Sequence, residues 1–231
     1  MSSWDLFIKS FITNGGYKTV LSGLQTTVLI AVVGLIIGIV LGVIIAISKV
    51  IPQTNPLIKV WSGASSVYVW LFRGTPMVVQ LLIFKFILFP ALGINIDATV
   101  IAVFAFGMNS GAYVSEIMRG GLLSVDKGQL EAARSLGLGY GTSMMKVVIP
   151  QAVKNILPTP GNEFITLIKE TSVVSFIAVV DLTKAFTQIG DANYDYIIPY
   201  LMLALIYLVL VSIISLIVRL IERRMRKGDN R

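Results

Sequence analysis

Asn162, Glu163, Thr166, Lys169 and Glu170 recur at three- and four-residue steps inside an otherwise apolar stretch, so on a helix they share one face. Ionisable groups at membrane depth are costly, and such a face looks into a water-filled cavity or packs inside a bundle rather than meeting lipid. Asn162 and Glu163 read as contacts to a substrate. For Lys169 and Glu170, substrate contact and a structural ion pair fit the pattern equally. A second interruption, Arg73-Gly74-Thr75-Pro76, breaks another apolar stretch, because proline removes a backbone donor and glycine loosens the helix. Broken helices persist at membrane depth where the freed backbone lines a cavity, and a helix start there can bind a carboxylate. Arg73 and Thr75 are candidates to hold that carboxylate or to position the loop; the other reading makes Arg73 the end of a short interfacial helix. Tyr68, Asn109 and Tyr113 offer hydrogen bonds to a ligand or to the packing of the bundle. Asp97 has the profile of a helix cap at the outer surface, with a place near a pore mouth as the alternative. Lys85 can snorkel toward headgroups.

The elements that must carry these groups are legible in the hydropathy. The 231 residues are 55% hydrophobic and only 13% charged, with a mean hydropathy of +0.84, too little charge to cover a soluble domain. With no cysteine and no histidine, thiolate and imidazole metal sites and the usual general base are excluded. Thr19 to Ser48 runs 30 residues without a charge, and Tyr196 to Val218 runs 23. Both exceed the roughly 20 residues that span a bilayer core. Three weaker spans lie between, giving an all-α membrane protein with five spans at about 19–48, 57–89, 98–117, 160–182 and 196–219, all in a single domain over 1–231.

The net charge of +7 and pI near 9.7 come from basic residues at the ends of these spans, which argues against nucleic acid as a partner. Placing the tail with Arg219, Arg223, Arg224, Arg226, Lys227 and Arg231 inside puts Arg119, Lys127, Arg134, Lys146 and Lys154 inside too, with Lys49 and Lys59. Only Lys9, Lys18 and Lys184 then fall outside, so the bias predicts an outer N-terminus and a cytoplasmic C-terminus. Trp4, Phe7, Ile8, Phe11 and Ile12 fit a short helix in the outer interface or a disordered start. The four-residue repeats Gly34, Gly38, Gly42 and Gly107, Gly111 are close-approach faces, read as packing within one bundle in preference to a dimer seam.

Residues 118–158 are too polar to cross, yet their composition is helical. Asp126 with Gln129 has the form of a capping box, a helix is expected over about 127–136, and Gly137 stops it. Thr142 is expected to cap a second helix, which Pro150 bends or ends. A helical hairpin of this kind fits either the groove of a partner protein or the lipid surface.

Glu131-Ala132-Ala133, Gly137 four positions on, and Val147-Val148-Ile149-Pro150 after nine more residues resemble the EAA loop of permease subunits of ABC importers. Arg73-Gly74-Thr75-Pro76 with Gln80, Ala112-Tyr113, Glu116, Arg119-Gly120-Gly121, Gly128-Gln129 and Lys169-Glu170-Thr171-Ser172 are similar to the polar amino acid importers, over roughly residues 15–225. The resemblance implies an ABC type I importer permease fold with a cytoplasmic coupling loop at about 120–155. It also implies a bacterial inner-membrane location and no ATPase activity in this chain. ATP and magnesium would bind two separate ATPase subunits, in keeping with the lack of a G-x-x-x-x-G-K-[ST] phosphate loop. Glu131 would pair with a basic residue of the ATPase, Ala132 and Ala133 would allow close approach, and Gly137 would turn the chain. A second permease subunit, an extracytoplasmic amino acid binding protein and the amino acid itself are the further partners. An acidic pore lined by Asp97, Glu163 and Glu170 would favour arginine, lysine or histidine, offset in part by Arg73 and Lys169. The rival class is an ion-coupled carrier or channel using the charges of 162–170, which leaves the 126–150 loop without a role.

Overall fold

The computed structural model describes residues 2–52, 55–156 and 159–226; Lys227 and Arg231 of the basic tail, and the last positions of the 118–158 loop, lie outside them. No strand occurs among the described residues. In chain order the helices are α1 (Ser3–Ile8), α2 (Gly16–Val50), α3 (Pro56–Gly74), α4 (Met77–Ile83), α5 (Phe89–Ala91), α6 (Ala98–Leu123), α7 (Lys127–Ser135), α8 (Tyr140–Ser143), α9 (Ile149–Ile156), α10 (Thr159–Glu170), α11 (Leu182–Asp191) and α12 (Ile197–Arg226).

The centre is the pair α2 and α6. A Cβ on Gly38 would lie 2.5 Å from Ser110 Oγ, and one on Gly42 2.6 Å from Val114 Cγ1. From the other side, a Cβ on Gly107 would lie 2.6 Å from Ile37 Cγ2. Both glycine repeats are therefore spent on one seam inside the bundle, where the missing side chains let the backbones approach. Ile30, Ala105, Phe106 and Ile168 close the same core, and α10 sits among α2, α6 and α12.

Gly16–Val50, Ala98–Leu123 and Ile197–Arg224 are long and apolar enough to cross a membrane. Two expected spans are not continuous helices. The stretch 57–89 is bent by 110° between Pro56–Gly74 and Met77–Ala91, because Pro76 cannot extend α3 and pushes Thr75 into extended backbone, φ −122° and ψ 143°. The stretch 160–182 is α10, a 3-10 turn over Thr171–Ile177 and a left-handed Ala178 at φ 64°. There Thr171 Oγ1 donates to the Ile168 carbonyl at 2.7 Å and Ser175 Oγ to the Ser172 carbonyl at 3.1 Å, bonds that compete with regular helix.

The N-terminus is helical. Ser2 and Asp5 form a reciprocal capping box, and Phe7 buries its ring between Trp4 and Phe11 and against Phe186 and Ile189 of α11.

Candidate functional site

At the α3–α4 break, side chains replace the helical bonds that Pro76 removes. Gln80 Nε2 donates to the Phe72 carbonyl at 2.8 Å, the Thr75 carbonyl at 3.0 Å and Thr75 Oγ1 at 2.9 Å. Asn109 Nδ2, from α6, donates to Gln80 Oε1 at 3.0 Å and to the Phe72 carbonyl at 3.4 Å. Thr75 Oγ1 donates to the Leu71 carbonyl at 2.8 Å, and Tyr68 donates its phenol proton to the Met108 carbonyl. Tyr68, Thr75 and Asn109 are thus brought together, but their hydrogen bonds go to backbone carbonyls of α3 and α6 and to the Gln80 side chain, the packing alternative for Tyr68 and Asn109 and the loop-positioning one for Thr75.

Arg73 lies in the last turn of α3 and turns away from this network. Its guanidinium stacks 5.4 Å over the Tyr113 ring and approaches Glu116 Oε2 at 3.7 Å. Glu116 also receives Lys49 at 3.1 Å and Arg119 at 2.8 Å. Arg73 therefore already has a carboxylate partner in its own chain.

On α10, Asn162, Thr166 and Lys169 are exposed along one stripe, and Glu163 and Glu170 stand half-buried beside them. Neither glutamate forms an ion pair with Lys169 within 4.0 Å; the side-chain ion pairs found among the described residues all converge on Glu116. Of the two alternatives for Lys169 and Glu170, the ion pair is not formed: the lysine stays on the open stripe and both glutamates are half-buried. Glu163 lies toward Ser110 of α6, whose buried hydroxyl makes no hydrogen bond within 3.5 Å among the described residues.

Asp97 is remote from these groups in role. It caps α6, accepting from the Thr99 backbone N–H at 2.7 Å, and hydrogen bonds from Thr99 side chain and backbone hold its carboxyl below the usual carboxylate range.

The 120–155 loop is a compact helical pedestal. Asp126 caps α7 through the Gly128 N–H at 2.6 Å. The capping box is only half formed, because the Gln129 side chain accepts from Gln151 Nε2 at 3.2 Å instead of reaching back. At the far end Gly137 adopts φ +85°, while the N–H of Leu138 bonds the Ala133 carbonyl at 3.3 Å and that of Gly137 bonds the Arg134 carbonyl at 3.0 Å, a glycine-dependent helix stop. The second helix differs from expectation: α8 starts at Tyr140 after Gly139, with Thr142 inside it. It continues through a π-turn, Met144–Val148, into α9 despite Pro150. The wider turn absorbs the missing proline donor. Val125, Met144, Val148 and Ala152 form the pedestal core, with Val50, Leu122 and Leu130 against it. Glu131 and Ala132 face outward, whereas Ala133 is buried. Of the two alanines expected to allow close approach, Ala132 is on the outer face and Ala133 seats α7.

Residues 38–227 match the family described as binding-protein-dependent transport system inner membrane component. The chain belongs to this family. It is 43% identical over 210 residues to the arginine transport system permease protein ArtQ of Bacillus subtilis (strain 168), covering 91% of this chain and 94% of the relative. It is 39% identical over 223 residues to the L-cystine transport system permease protein TcyB of the same organism, covering 96% and 91%. Among solved structures, an amino acid ABC transporter with histidines superposes with a TM-score of 0.82 at 41% identity, covering 93% of this chain and 98% of that one. The chain is accordingly an all-helical permease subunit of an ABC amino acid importer, a membrane component without an ATPase of its own, working with ATPase and binding-protein partners.

Two residues of this permease that matter to the geometry were not among the sequence-derived site residues. Gln80 was visible as an amide in an apolar run four residues after Pro76. Glu116 was visible as the i,i+3 partner of Arg119. Its bond to Lys49, 67 positions away, had no local signal.

Proposed function

We propose that this permease forms one half of a paired pore, with an identical or homologous subunit as the other half, and imports a polar amino acid by alternating access. Two ATPase subunits binding ATP and magnesium drive the cycle, and an extracytoplasmic binding protein delivers the cargo. Each ATPase receives one α7, with Glu131 meeting a basic residue and Ala132 at the close contact. The observation that carries this reading is the build of α7. It is an exposed helix, fixed at both ends by Asp126 and Gly137 and seated through Ala133 on an apolar core. Such a body transmits a rigid displacement, which a floppy loop cannot. The N-terminus lies outside and the basic C-terminus in the cytoplasm, following the charge bias.

Cationic amino acids are the preferred cargo. Glu163 and Glu170 lie half-buried two helical turns apart on α10, and among the described residues neither has an ion-pair partner within 4.0 Å, while the Arg73 guanidinium is drawn toward Glu116 at 3.7 Å. Asn162, Glu163, Lys169 and Glu170 supply the contacts on α10, Tyr68, Thr75 and Asn109 hold the broken segment that completes the site, Arg73 positions that segment, and Asp97 lies at the mouth. Relatives named for arginine and for histidines support a basic cargo, while the L-cystine relative marks the alternative.

Reconstitution with the candidate ATPase and binding protein tests this, comparing uptake of labelled arginine, glutamine and cystine by wild type and Glu131→Arg. The expected result is ATP-dependent uptake, arginine first. The variant should lose more than about tenfold and no longer retain the ATPase, as for reversal of a docking charge. Uptake without ATP would replace the importer by an ion-coupled carrier.

A further inference from the structure

One carboxylate links the ends of α2, α3 and α6 between the pedestal and the broken α3–α4 segment. Glu116, on α6, accepts from the Lys49 ammonium at 3.1 Å and from Arg119 Nε at 3.2 Å to each oxygen, with Arg119 NH2 at 2.8 Å. Arg73 NH1 completes the set at 3.7 Å. Three cations from the ends of α2, α3 and α6 therefore share one carboxylate whose side chain is only 18% exposed.

Two of the cations lead to the pedestal and the third to the helix break. Lys49 is followed by Val50, whose carbonyl accepts from the Tyr140 hydroxyl at 2.9 Å and whose side chain packs on the pedestal core. Arg119 lies one turn before Leu122, which packs on the same core. Arg73 follows Phe72, whose carbonyl takes both Gln80 and Asn109 at the helix break. The links also differ in stiffness. Lys49 and Arg119 stand on the glycine-locked pair α2 and α6, whereas Arg73 is 44% exposed and holds Glu116 at the longest of these distances.

We propose that Glu116 is a positioning residue that couples ATPase-driven movement of the α7–α9 pedestal to the α3–α4 break, with Arg73 as the link that changes during the cycle. The carboxylate touches neither the exposed α7 face nor the α10 stripe, so its effect is on transmission rather than on docking or cargo. This rests on the importer reading above.

The test measures arginine uptake and ATP hydrolysis in the same proteoliposomes, over arginine concentrations up to saturation, for wild type, Glu116→Gln, Arg73→Gln and the double variant. Glu116→Gln should retain the ATPase on co-purification and continue hydrolysis, while arginine transported per ATP falls roughly tenfold, within the usual range of coupling between sites. Arg73→Gln should shift the same ratio by less, and the double variant should fall no further than Glu116→Gln, since both remove one link. Should Glu116→Gln fail to assemble, the ratio for the half-exposed Arg73→Gln decides alone. An unchanged ratio, or uptake and hydrolysis falling in parallel, overturns the proposal while leaving the importer intact. Additive losses, or an Arg73→Gln defect relieved by more arginine, also overturn it, the latter by assigning Arg73 to cargo. Wild-type uptake without ATP removes the importer reading and the coupling role together.

Discussion

Along one flank α6 meets α2 through glycine against closely packed side chains, and along another it meets the α3–α4 break through amides against carbonyls. The first seam places Gly38 and Gly42 against Ser110 and Val114, and Gly107 against Ile37. The second runs from Asn109 to Gln80 and on to the carbonyls of Phe72 and Thr75. Close packing has one low-energy arrangement and resists displacement. Hydrogen bonds made by side chains to a broken helix can be exchanged for others as the backbone moves. The α2–α6 pair therefore acts as a frame, and the break as the part that can re-form around a passing solute.

The sharpest way to break this contrast is to fill the frame. Gly38→Val puts carbon where Ser110 Oγ already lies 2.5 Å away. It should cost about 3 kcal/mol or more, given that overpacking typically costs 1–3 and no flexible end is available to yield. Loss of monodisperse protein on detergent gel filtration is the expected readout; a normally folded variant would mean that α2 and α6 can slide. At the break, Gln80→Leu removes three donated hydrogen bonds and the acceptor for Asn109. About 2 kcal/mol is expected for carbonyls left without partners, read as a lowered thermal midpoint, and transport should fall by more than the stability loss explains. A Gln80→Leu variant as stable and active as wild type would erase the distinction between the two seams.

The smallest effect concerns the outer end of α6. Because Asp97 is held below its ordinary value of 3.8, its cap contribution is fully present above that pH and is lost as the pH falls through the lowered value. The stability difference between wild type and Asp97→Asn should therefore shrink below pH 3.8 and stay constant above it. Movement in the opposite direction would mean that the cap is not the source of the shift.

Much of the frame was legible in the sequence. Uncharged runs mark α2 and α12, four-residue glycine repeats mark the α2–α6 seam, and Asp126 with Gly137 marks both ends of α7. These signals are local, because length, periodicity and caps are properties of consecutive residues. The 160–182 stretch shows the limit of such signals: its hydropathy suits a span, but the hydroxyls of Thr171 and Ser175 divert carbonyls and a 3-10 turn follows the helix.

The candidate site was legible as a set of residue types and not as a set of partners. From Arg73, Thr75, Tyr68 and Asn109 the sequence established that polar groups interrupt apolar helices and need satisfaction. Whether that satisfaction comes from cargo, backbone or another side chain depends on which helices lie side by side. Only the tertiary structure brought Lys49 to Glu116 across 67 positions and turned Tyr68 to the Met108 carbonyl across 40. The reason is physical. Hydrophobic periodicity fixes which face of each helix is buried, whereas the pairing of buried polar groups follows from the packing angle and depth of several helices at once, which no single stretch of sequence encodes.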